Sequence, residues 1–364
     1  MKLRPFLLMI AFIFVFTYET KANDYYPGNK KFIYSGRIDP VNSDSVALIS
    51  SASAVTFCFE GDSCSVILRS EGQGKDYNFI SWEVDGNYSG KIRIDGRKSR
   101  YHVPVKGKGK HTVSIYKATE AMIGNIFFCG AEVTKLLDPP AWPSHKIEFI
   151  GNSITCGVGI DWRDYPCGSG EYQDQHNAYW AYGPRVARSL NLQFLLSSVS
   201  GIGIYRTWNM EGPSMPEVYE NRFLDTDDSE KWDFSRFTPE VVCICLGTND
   251  LSEGDRIHHR DPFDADQFVK SYIGFVETIY SHYPDVQIVV MDSPMFDCAK
   301  NEILIKCLVR VIDYFNSLSG VNPIELFKFQ NIPIHGCNGH PGKKDHEVMA
   351  AQLTPFLERF FGNN

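Results

Sequence analysis

The sequence lacks an apolar run long enough to cross a lipid bilayer in its N-terminal region. A bilayer span needs about 20 consecutive apolar residues, and the apolar run over residues 6–18 is shorter. It follows the basic residues Lys2 and Arg4 and precedes Ala22, which approximately fits a small-residue cleavage rule. This pattern predicts a signal peptide over residues 1–22 and a secreted or periplasmic protein without stable membrane insertion after cleavage. An uncleaved membrane anchor is the alternative.

Positive charge is also scarce. The chain has 36 Lys and Arg residues against 44 Asp and Glu, which gives a formal net charge of -8. A nucleic-acid binder normally presents a basic stripe that replaces the counterions of the phosphates. No cluster of Lys and Arg in this sequence is long enough to supply one. We therefore expect no nucleic-acid partner.

Cysteine is too sparse for a disulfide-dense scaffold, since ten cysteines are spread over 364 residues. The fold must therefore depend mainly on its hydrophobic core. Cys58 and Cys64 flank a Gly-Asp turn signal, and Cys298 and Cys307 lie close together beside a predicted loop. These are the two candidate disulfide pairs.

The first part of the chain has the pattern of an all-β domain. Residues 23–137 contain short runs of β-branched and aromatic residues, separated by turn signals at residues 60–62 and 85–87. Runs at this spacing without helical periodicity predict an antiparallel β-sandwich or jelly roll. Residues 138–145 are rich in proline and predict a stiff linker.

Residues 146–364 have a different pattern, in which apolar strands alternate with amphipathic helices. This alternation predicts an α/β domain with a mainly parallel sheet and helices on both faces. The predicted strands cover residues 147–150, 194–196, 241–246 and 288–291, and the predicted helices cover residues 178–190, 265–282, 303–318 and 345–360. Cys243 and Cys245 lie in the third of these strands and are predicted to be buried thiols.

Three of the predicted strands are followed by residues that suit acyl transfer. Functional groups in open α/β sheets collect at the carboxyl ends of the strands, and here these ends lead to Ser153, Gly201 and Asn249. Ser153 is the candidate nucleophile. The backbone N–H groups of Ser153 and Gly201, with the side-chain amide of Asn249, are the candidate oxyanion hole. Taken alone, each residue has a structural alternative as a helix cap or turn residue.

A serine nucleophile also needs a base, and three histidines near the C-terminus are candidates. His340 lies in a loop just ahead of the last predicted helix, from which it can reach the edge of the sheet. His335 precedes a turn, and His346 falls inside the helix. His340 is therefore the predicted base.

These segments resemble the four blocks of the SGNH (GDSL) hydrolases, in the correct order: residues 151–155, Gly201, residues 247–250 and His340. The β-rich first part, with its segments at residues 34–37 and 119–121, makes the chain similar to carbohydrate esterase family 2. The resemblance implies an SGNH catalytic domain over residues 146–364. It also implies an acetyl esterase for acetylated plant polysaccharides or oligosaccharides, such as xylan and glucomannan, without a metal or organic cofactor.

The sequence departs from the SGNH pattern at two places. Position 152 is Asn where many relatives carry Asp, a change that we expect to be tolerated. The superfamily's Asp three residues before the catalytic His is here Cys337, and Asn338 follows it. The resemblance implies a Ser-His dyad in which a backbone carbonyl orients the imidazole. The side-chain oxygen of Asn338 and a carboxylate distant in sequence are the alternatives.

Two other functions compete with the esterase. A non-catalytic carbohydrate-binding protein has no need to keep all four motif residues, and an SGNH esterase or lipase for a non-carbohydrate ester does not explain the export signal and the β domain. Aromatic residues suited to stacking on sugar rings lie between the first and third strands, without individual assignment: Trp162, Tyr165, Tyr172, Tyr179, Trp180, Tyr205 and Trp208.

Overall fold

The structure is a computed structural model, and it describes residues 22–71, 77–226 and 230–362. Of the predicted signal peptide, residues 1–21 lie outside these ranges. None of the helices within them combines the length and the apolar character that a bilayer crossing requires.

The first part of the chain is an antiparallel β structure, as the sequence predicts. Its strands are β1 (Asn23–Tyr25), β2 (Ile33–Ser35), β3 (Ile38–Asn42), β4 (Ser45–Leu48), β5 (Ala54–Ser70), β6 (Asn78–Val84), β7 (Asn87–Ile94), β8 (Ser99–His102), β9 (Gly109–Lys117) and β10 (Ile126–Leu137). Hydrogen bonds join them in the order β3-β4-β10-β5-β9-β6-β7, with β1 paired to β10 and with β2 and β8 paired to β5. Their inward side chains, such as Phe57, Trp82 and Phe128, form a core of their own.

The predicted turn at residues 60–62 is wrong, because these residues lie inside the continuous strand β5. The glycine marks a change of neighbours instead: β5 pairs with β9 up to Gly61 and with β8 from Ser65 onward. The predicted Cys58–Cys64 disulfide is wrong for the same reason. Cys58 and Cys64 lie opposite Leu137 and Val133 of β10, which are four residues of strand or about 13 Å apart. This exceeds the limit for a disulfide, and both thiols are free.

The second part is an α/β structure, also as predicted. Its strands are β11 (Lys146–Gly151), β12 (Gln193–Ser198), β13 (Val241–Cys245), β14 (Gln287–Met291) and β15 (Glu325–Phe327). They form one sheet that is parallel throughout and has the strand order β12-β11-β13-β14-β15. The helices are α1 (Ser153–Cys156), α2 (Tyr182–Ser189), α3 (Met215–Val218), α4 (Ala265–His282), α5 (Cys298–Asn316) and α6 (Lys343–Glu358). Apolar clusters cover both faces of the sheet, and Cys243 and Cys245 are buried free thiols within it.

Two predictions for this part need correction. The predicted helix over residues 178–190 is broken, because Ala181 is extended and α2 begins only at Tyr182, which places Pro184 in the first turn, where proline is tolerated. The predicted Cys298–Cys307 disulfide is wrong, because both residues belong to α5. Nine residues of helix separate them by about 13 Å. The disulfide that does form joins Cys167 to Cys337.

The β part is anchored to the α/β part by a buried arginine. Arg37 has no solvent exposure and donates hydrogen bonds to the carbonyls of Tyr219 at 2.7 Å and Asn221 at 2.8 Å, and to the Ser197 hydroxyl at 3.3 Å. The same hydroxyl donates to the buried carboxylate of Glu148 at 2.5 Å. The Arg37 guanidinium, which belongs to the β part, thus donates to acceptors of the α/β part and lies close to the Glu148 carboxylate. This explains why the two cores dock in a fixed orientation.

We expect Arg37→Met to lower the free energy of unfolding by about 3 kcal/mol, because it leaves two buried carbonyls and the Glu148 carboxylate without their cation. The melting temperature measures this loss. Lys306→Ala is the matched control, since Lys306 pairs with Glu302 on an exposed helix face, where a pair contributes little. Equal melting temperatures for the two variants would show that the buried arginine does not stabilise the docked arrangement.

Candidate active site

Three neighbouring strands bring the predicted strand-end residues to one edge of the sheet. β12, β11 and β13 are adjacent and parallel, so their carboxyl ends meet. Ser153 follows β11, Gly201 follows β12 and Asn249 follows β13. All three residues line one cleft of about 730 Å³, together with His340.

The turn that presents Ser153 has strict local requirements. A Cβ atom on Gly151 would lie 2.0 Å from the Thr155 hydroxyl oxygen, so only glycine fits at the end of β11. The next residue, Asn152, caps α1 by accepting a hydrogen bond from the Ile154 N–H at 3.1 Å. The Asn at position 152 therefore does the capping work that an Asp would do, and Ser153 becomes the first residue of the helix.

Ser153 and His340 are in direct contact, although 187 residues separate them in the sequence. The Nε2 atom of His340 lies 2.9 Å from the Ser153 Oγ atom. This is the separation expected between a serine nucleophile and its base. His335 instead contacts the Asp345 carboxylate at 2.7 Å, and the buried His346 accepts a hydrogen bond from the Tyr182 N–H. The structure thus selects His340 by geometry among the three histidines, and its catalytic role remains a prediction.

The second ring nitrogen of His340 contacts a backbone carbonyl. Its Nδ1 atom lies 3.1 Å from the oxygen of Cys337, which also accepts the backbone N–H of His340. Because a carbonyl only accepts, Nδ1 carries the hydrogen and Nε2 is free to take a proton from Ser153. Asn338 adopts a left-handed φ of 55°, a conformation that asparagine tolerates better than most residues. Asn338 thus contributes to the shape of the loop through its backbone conformation.

The Cys167–Cys337 disulfide holds this loop in place. It joins residues 170 positions apart, and the bridged Cys337 supplies the carbonyl that contacts His340. On the other side, Gly159 lies so close that a Cβ atom there would be 3.0 Å from the Cβ atom of His340. His340 is therefore held in position by packing against Gly159 and by the disulfide bond at Cys337.

Three N–H donors are available for an oxyanion. Ser153 is the first residue of α1, where the helix leaves its N–H unpaired. The Gly201 N–H has no acceptor within the described part of the chain. The Asn249 side-chain amide uses one hydrogen to bind the Ile202 carbonyl at 2.8 Å and has a second hydrogen to donate. Gly201 has a φ of +76°, and a Cβ atom there would lie 2.6 Å from Trp208.

Sequence reasoning gave no role to two buried carboxylates behind these donors. Asp250 accepts hydrogen bonds from the backbone N–H groups of Ile204 and Tyr205, and Glu120 accepts from Ser200. Glu120 belongs to the β part, and its only sequence signal was the segment at residues 119–121, which carried the family resemblance without a role for this residue. Asp250 follows Asn249 directly within the third block, which was the only signal for it.

Two of the aromatic residues that the sequence offers for sugar stacking reach the cleft. Trp208 is 42% exposed and Tyr172 is 47% exposed, and both line its wall. The charged side chains at the cleft are Glu253, Arg256, Asp297 and Lys300, and their formal charges sum to zero. The remaining aromatic candidates lie outside the lining: Trp162, Tyr165, Tyr179, Trp180 and Tyr205.

Comparison with known proteins bears on the fold and on the class of enzyme. Residues 34–140 match the family model described as carbohydrate esterase 2 N-terminal, and residues 149–318 match that of the GDSL-like lipase/acylhydrolase family. An acetylxylan esterase / glucomannan deacetylase of Cellvibrio japonicus is 27% identical over 85% of this chain and 86% of that protein. The cellulase/esterase CelE of Acetivibrio thermocellus is 29% identical over 92% of this chain, which spans 40% of that longer protein.

Solved structures show the same arrangement of both parts. A family two carbohydrate esterase from Clostridium thermocellum, in complex with cellohexaose, has a TM-score of 0.79 at 28% identity, covering 90% of this chain and 98% of that one. A family two carbohydrate esterase from Cellvibrio japonicus has a TM-score of 0.82 at 23% identity and supports the fold alone.

The parallel sheet with serine, glycine, asparagine and histidine at one edge defines a carboxylic ester hydrolase of the SGNH type. The additional β part narrows this class, because the N-terminal family model covers it. Together, these matches support carbohydrate esterase family 2 as the family of this chain.

The pH dependence of the reaction should report the environment of His340. Burial lowers the pKa of this imidazole, although its contacts with the backbone at Cys337 and Asn338 oppose the effect. Because the neutral imidazole is the predicted base, we expect activity above this lowered pKa and its loss as the pH falls through it. We expect the acid limb of kcat/KM to have its midpoint below pH ~6.5, the ordinary histidine value. A midpoint above pH ~7, as a neighbouring carboxylate would produce, contradicts this account.

We also expect loss of the disulfide to slow the reaction. Cys167→Ser should lower kcat between about tenfold and a hundredfold, because it frees the loop whose carbonyl orients His340. A thiol reductant should have the same effect on the wild-type protein and none on the variant. Cys298→Ser, which alters an exposed free cysteine, is the control. Full activity of Cys167→Ser would mean that the loop's other hydrogen bonds suffice.

Proposed function

We propose that this protein is a secreted carbohydrate O-acetyl esterase that removes acetyl groups from hemicellulose such as xylan or glucomannan. The observation that carries the proposal is the 2.9 Å contact between Ser153 Oγ and His340 Nε2, in a cleft that also holds three candidate oxyanion donors. The names of the Cellvibrio relative support the substrate class.

The first half of the reaction acylates the enzyme. Ser153 Oγ attacks the ester carbonyl carbon while His340 Nε2 takes its proton. The carbonyl oxygen becomes an oxyanion that receives hydrogen bonds from the N–H groups of Ser153 and Gly201 and from the Asn249 amide. When the intermediate collapses, His340 returns the proton to the sugar oxygen. The products are acetyl-Ser153 and a free hydroxyl on the polysaccharide.

The second half repeats these steps with water as nucleophile. His340 takes a proton from the water molecule, the oxyanion forms again in the same place, and acetate leaves as Ser153 regains its proton. The Cys337 carbonyl orients the imidazole but cannot neutralise the imidazolium as a carboxylate would. The enzyme therefore depends strongly on its oxyanion donors.

The cleft favours a carbohydrate substrate. Trp208 and Tyr172 offer apolar ring faces to the C–H faces of sugars, and the side chains of the rim carry no net charge. Acetylated xylan and glucomannan lie outside the cell that degrades them, so the predicted signal peptide over residues 1–22 supports secretion. A lipid substrate would leave both the export signal and the β part unexplained.

Acetate release from acetylated xylan and glucomannan tests this proposal. We expect the wild-type protein to release acetate and Ser153→Ala to release none while it keeps its fold. Asn249→Ala should lower kcat about a hundredfold or more with a smaller effect on KM, since an oxyanion donor acts mainly in the transition state. Unchanged turnover by Ser153→Ala would exclude this nucleophile.

A control with non-carbohydrate esters separates the substrate from the mechanism. p-Nitrophenyl acetate reports the Ser-His machinery alone, and p-nitrophenyl esters of longer acids report tolerance for lipid-like acyl groups. Hydrolysis of the longer esters with no acetate from either polysaccharide would favour the lipase alternative. Binding of the polysaccharides with no ester cleavage at all would favour a non-catalytic carbohydrate-binding protein.

A further inference from the structure

A carboxylate from the β part reaches beneath the candidate oxyanion hole of the α/β part. Glu120 follows β9 and precedes a short 3-10 turn, Ala121–Ile123, and its side chain has no solvent exposure. A buried carboxylate is costly unless hydrogen bonds satisfy it. The hydrogen-bond partners of the Glu120 carboxylate therefore indicate its role.

Those partners lie in the second part of the chain. The carboxylate accepts hydrogen bonds from the backbone N–H of Ser200 at 2.7 Å, from the Ser200 hydroxyl at 2.6 Å and from the Tyr172 hydroxyl at 3.2 Å. The Cys156 thiol lies 3.5 Å from the carboxylate and 3.2 Å from the Ser198 hydroxyl, so its one hydrogen is shared between them. Burial raises the pKa of Glu120, and the hydrogen bonds from Ser200 oppose that shift because they favour the ionised carboxylate.

The donors to Glu120 lie next to residues of the candidate oxyanion hole. Ser200 immediately precedes Gly201, so two hydrogen bonds to Ser200 fix the peptide that presents the Gly201 N–H. Cys156 ends α1, the helix that begins with Ser153. One carboxylate thus ties together the segments that carry two of the three oxyanion donors.

The support for this carboxylate is also built into the β part. The ammonium group of Lys117, which is fully buried, donates to the backbone carbonyls of Thr119 and Glu120. Burial lowers the pKa of Lys117 to about 7, while the nearby Glu120 carboxylate opposes that shift. The cation and the two carbonyls fix the backbone from which the Glu120 side chain extends.

Resting on the function proposed above, we propose that Glu120 is a positioning residue that aligns the Ser200–Gly201 peptide as an oxyanion donor. It contacts neither Ser153 nor His340 in the described hydrogen bonds, so it acts through Ser200. On this view the β part is a component of the catalytic apparatus as well as a neighbouring domain.

The test compares two buried carboxylates. Glu120→Gln keeps the shape of the side chain but removes its charge and replaces one acceptor oxygen by a donor. Asp292→Asn makes the corresponding change at a buried carboxylate of the α/β part that accepts from the Asn301 side-chain amide and the Phe329 N–H and does not contact Ser200. Both variants are made in the full chain and assayed with p-nitrophenyl acetate, below the lower of their melting temperatures.

We expect Glu120→Gln to lower kcat between about tenfold and a hundredfold with KM changed less than about twofold, because an oxyanion donor acts in the transition state. Its inhibition constant for an arylboronic acid, which forms a tetrahedral adduct on serine, should rise by a similar factor. Asp292→Asn should lose stability but keep both values. Wild-type kcat and boronate affinity in Glu120→Gln, or equal losses in both variants, would overturn the proposal.

A second variant covers the case in which Glu120→Gln does not fold. Ser200→Ala removes one of the two hydrogen bonds from Ser200 to Glu120 and leaves the backbone bond. We therefore expect kcat to fall several-fold with little change in KM. Full activity of this variant would count against the proposal. A wild-type protein active on p-nitrophenyl acetate but inactive on acetylated polysaccharide would refute the proposed substrate and leave the role of Glu120 open to the same test.

Discussion

The contact between the Cys337 carbonyl and Nδ1 of His340 is the constraint on which the candidate site depends. It decides which ring nitrogen carries the hydrogen, and so it leaves Nε2 free to accept a hydrogen bond from the Ser153 hydroxyl. A carbonyl provides orientation but no negative charge. The stabilisation that a carboxylate would add to the imidazolium must then come from a well-fixed histidine and well-aligned oxyanion donors. The disulfide at Cys337 serves the first requirement.

The second requirement links the two parts of the chain. Gly201 and Asn249 reach the cleft because parallel strands end at one edge, and buried carboxylates hold the backbone behind them. Asp250 holds the segment after Gly201, and Glu120 holds the residue before it. Arg37 fixes the docking of the β part that carries Glu120. The accuracy of the donors thus follows from contacts far apart in sequence.

Patterns of local origin were predictable from the sequence. Strand and helix periodicity predicted both parts, and helix α4 occurs at the predicted residues 265–282. Four motif residues at strand ends and in one loop were enough to predict that they would meet. Contacts set by tertiary structure were not predictable: β5 passes straight through a Gly-Asp turn signal, Cys337 pairs with a cysteine 170 residues away, and Glu120 acts across the two parts. Nothing in local spacing encodes these partners.

The central claim, a dyad without an acid, is tested most directly by the kcat of four single variants, each of which neutralises one carboxylate near His340. Glu253→Gln and Asp297→Asn change carboxylates that line the cleft with His340. Asp345→Asn changes the carboxylate that accepts from the Gly342 N–H, just after His340. Asp161→Asn changes the carboxylate that follows Gly159, the residue against which His340 packs. The account predicts that each variant keeps kcat within about a hundredfold of wild type, since any loss comes only from altered packing. A loss near 10⁴-fold in one variant with an intact fold, the size expected when the acid of a triad is replaced, would contradict the dyad.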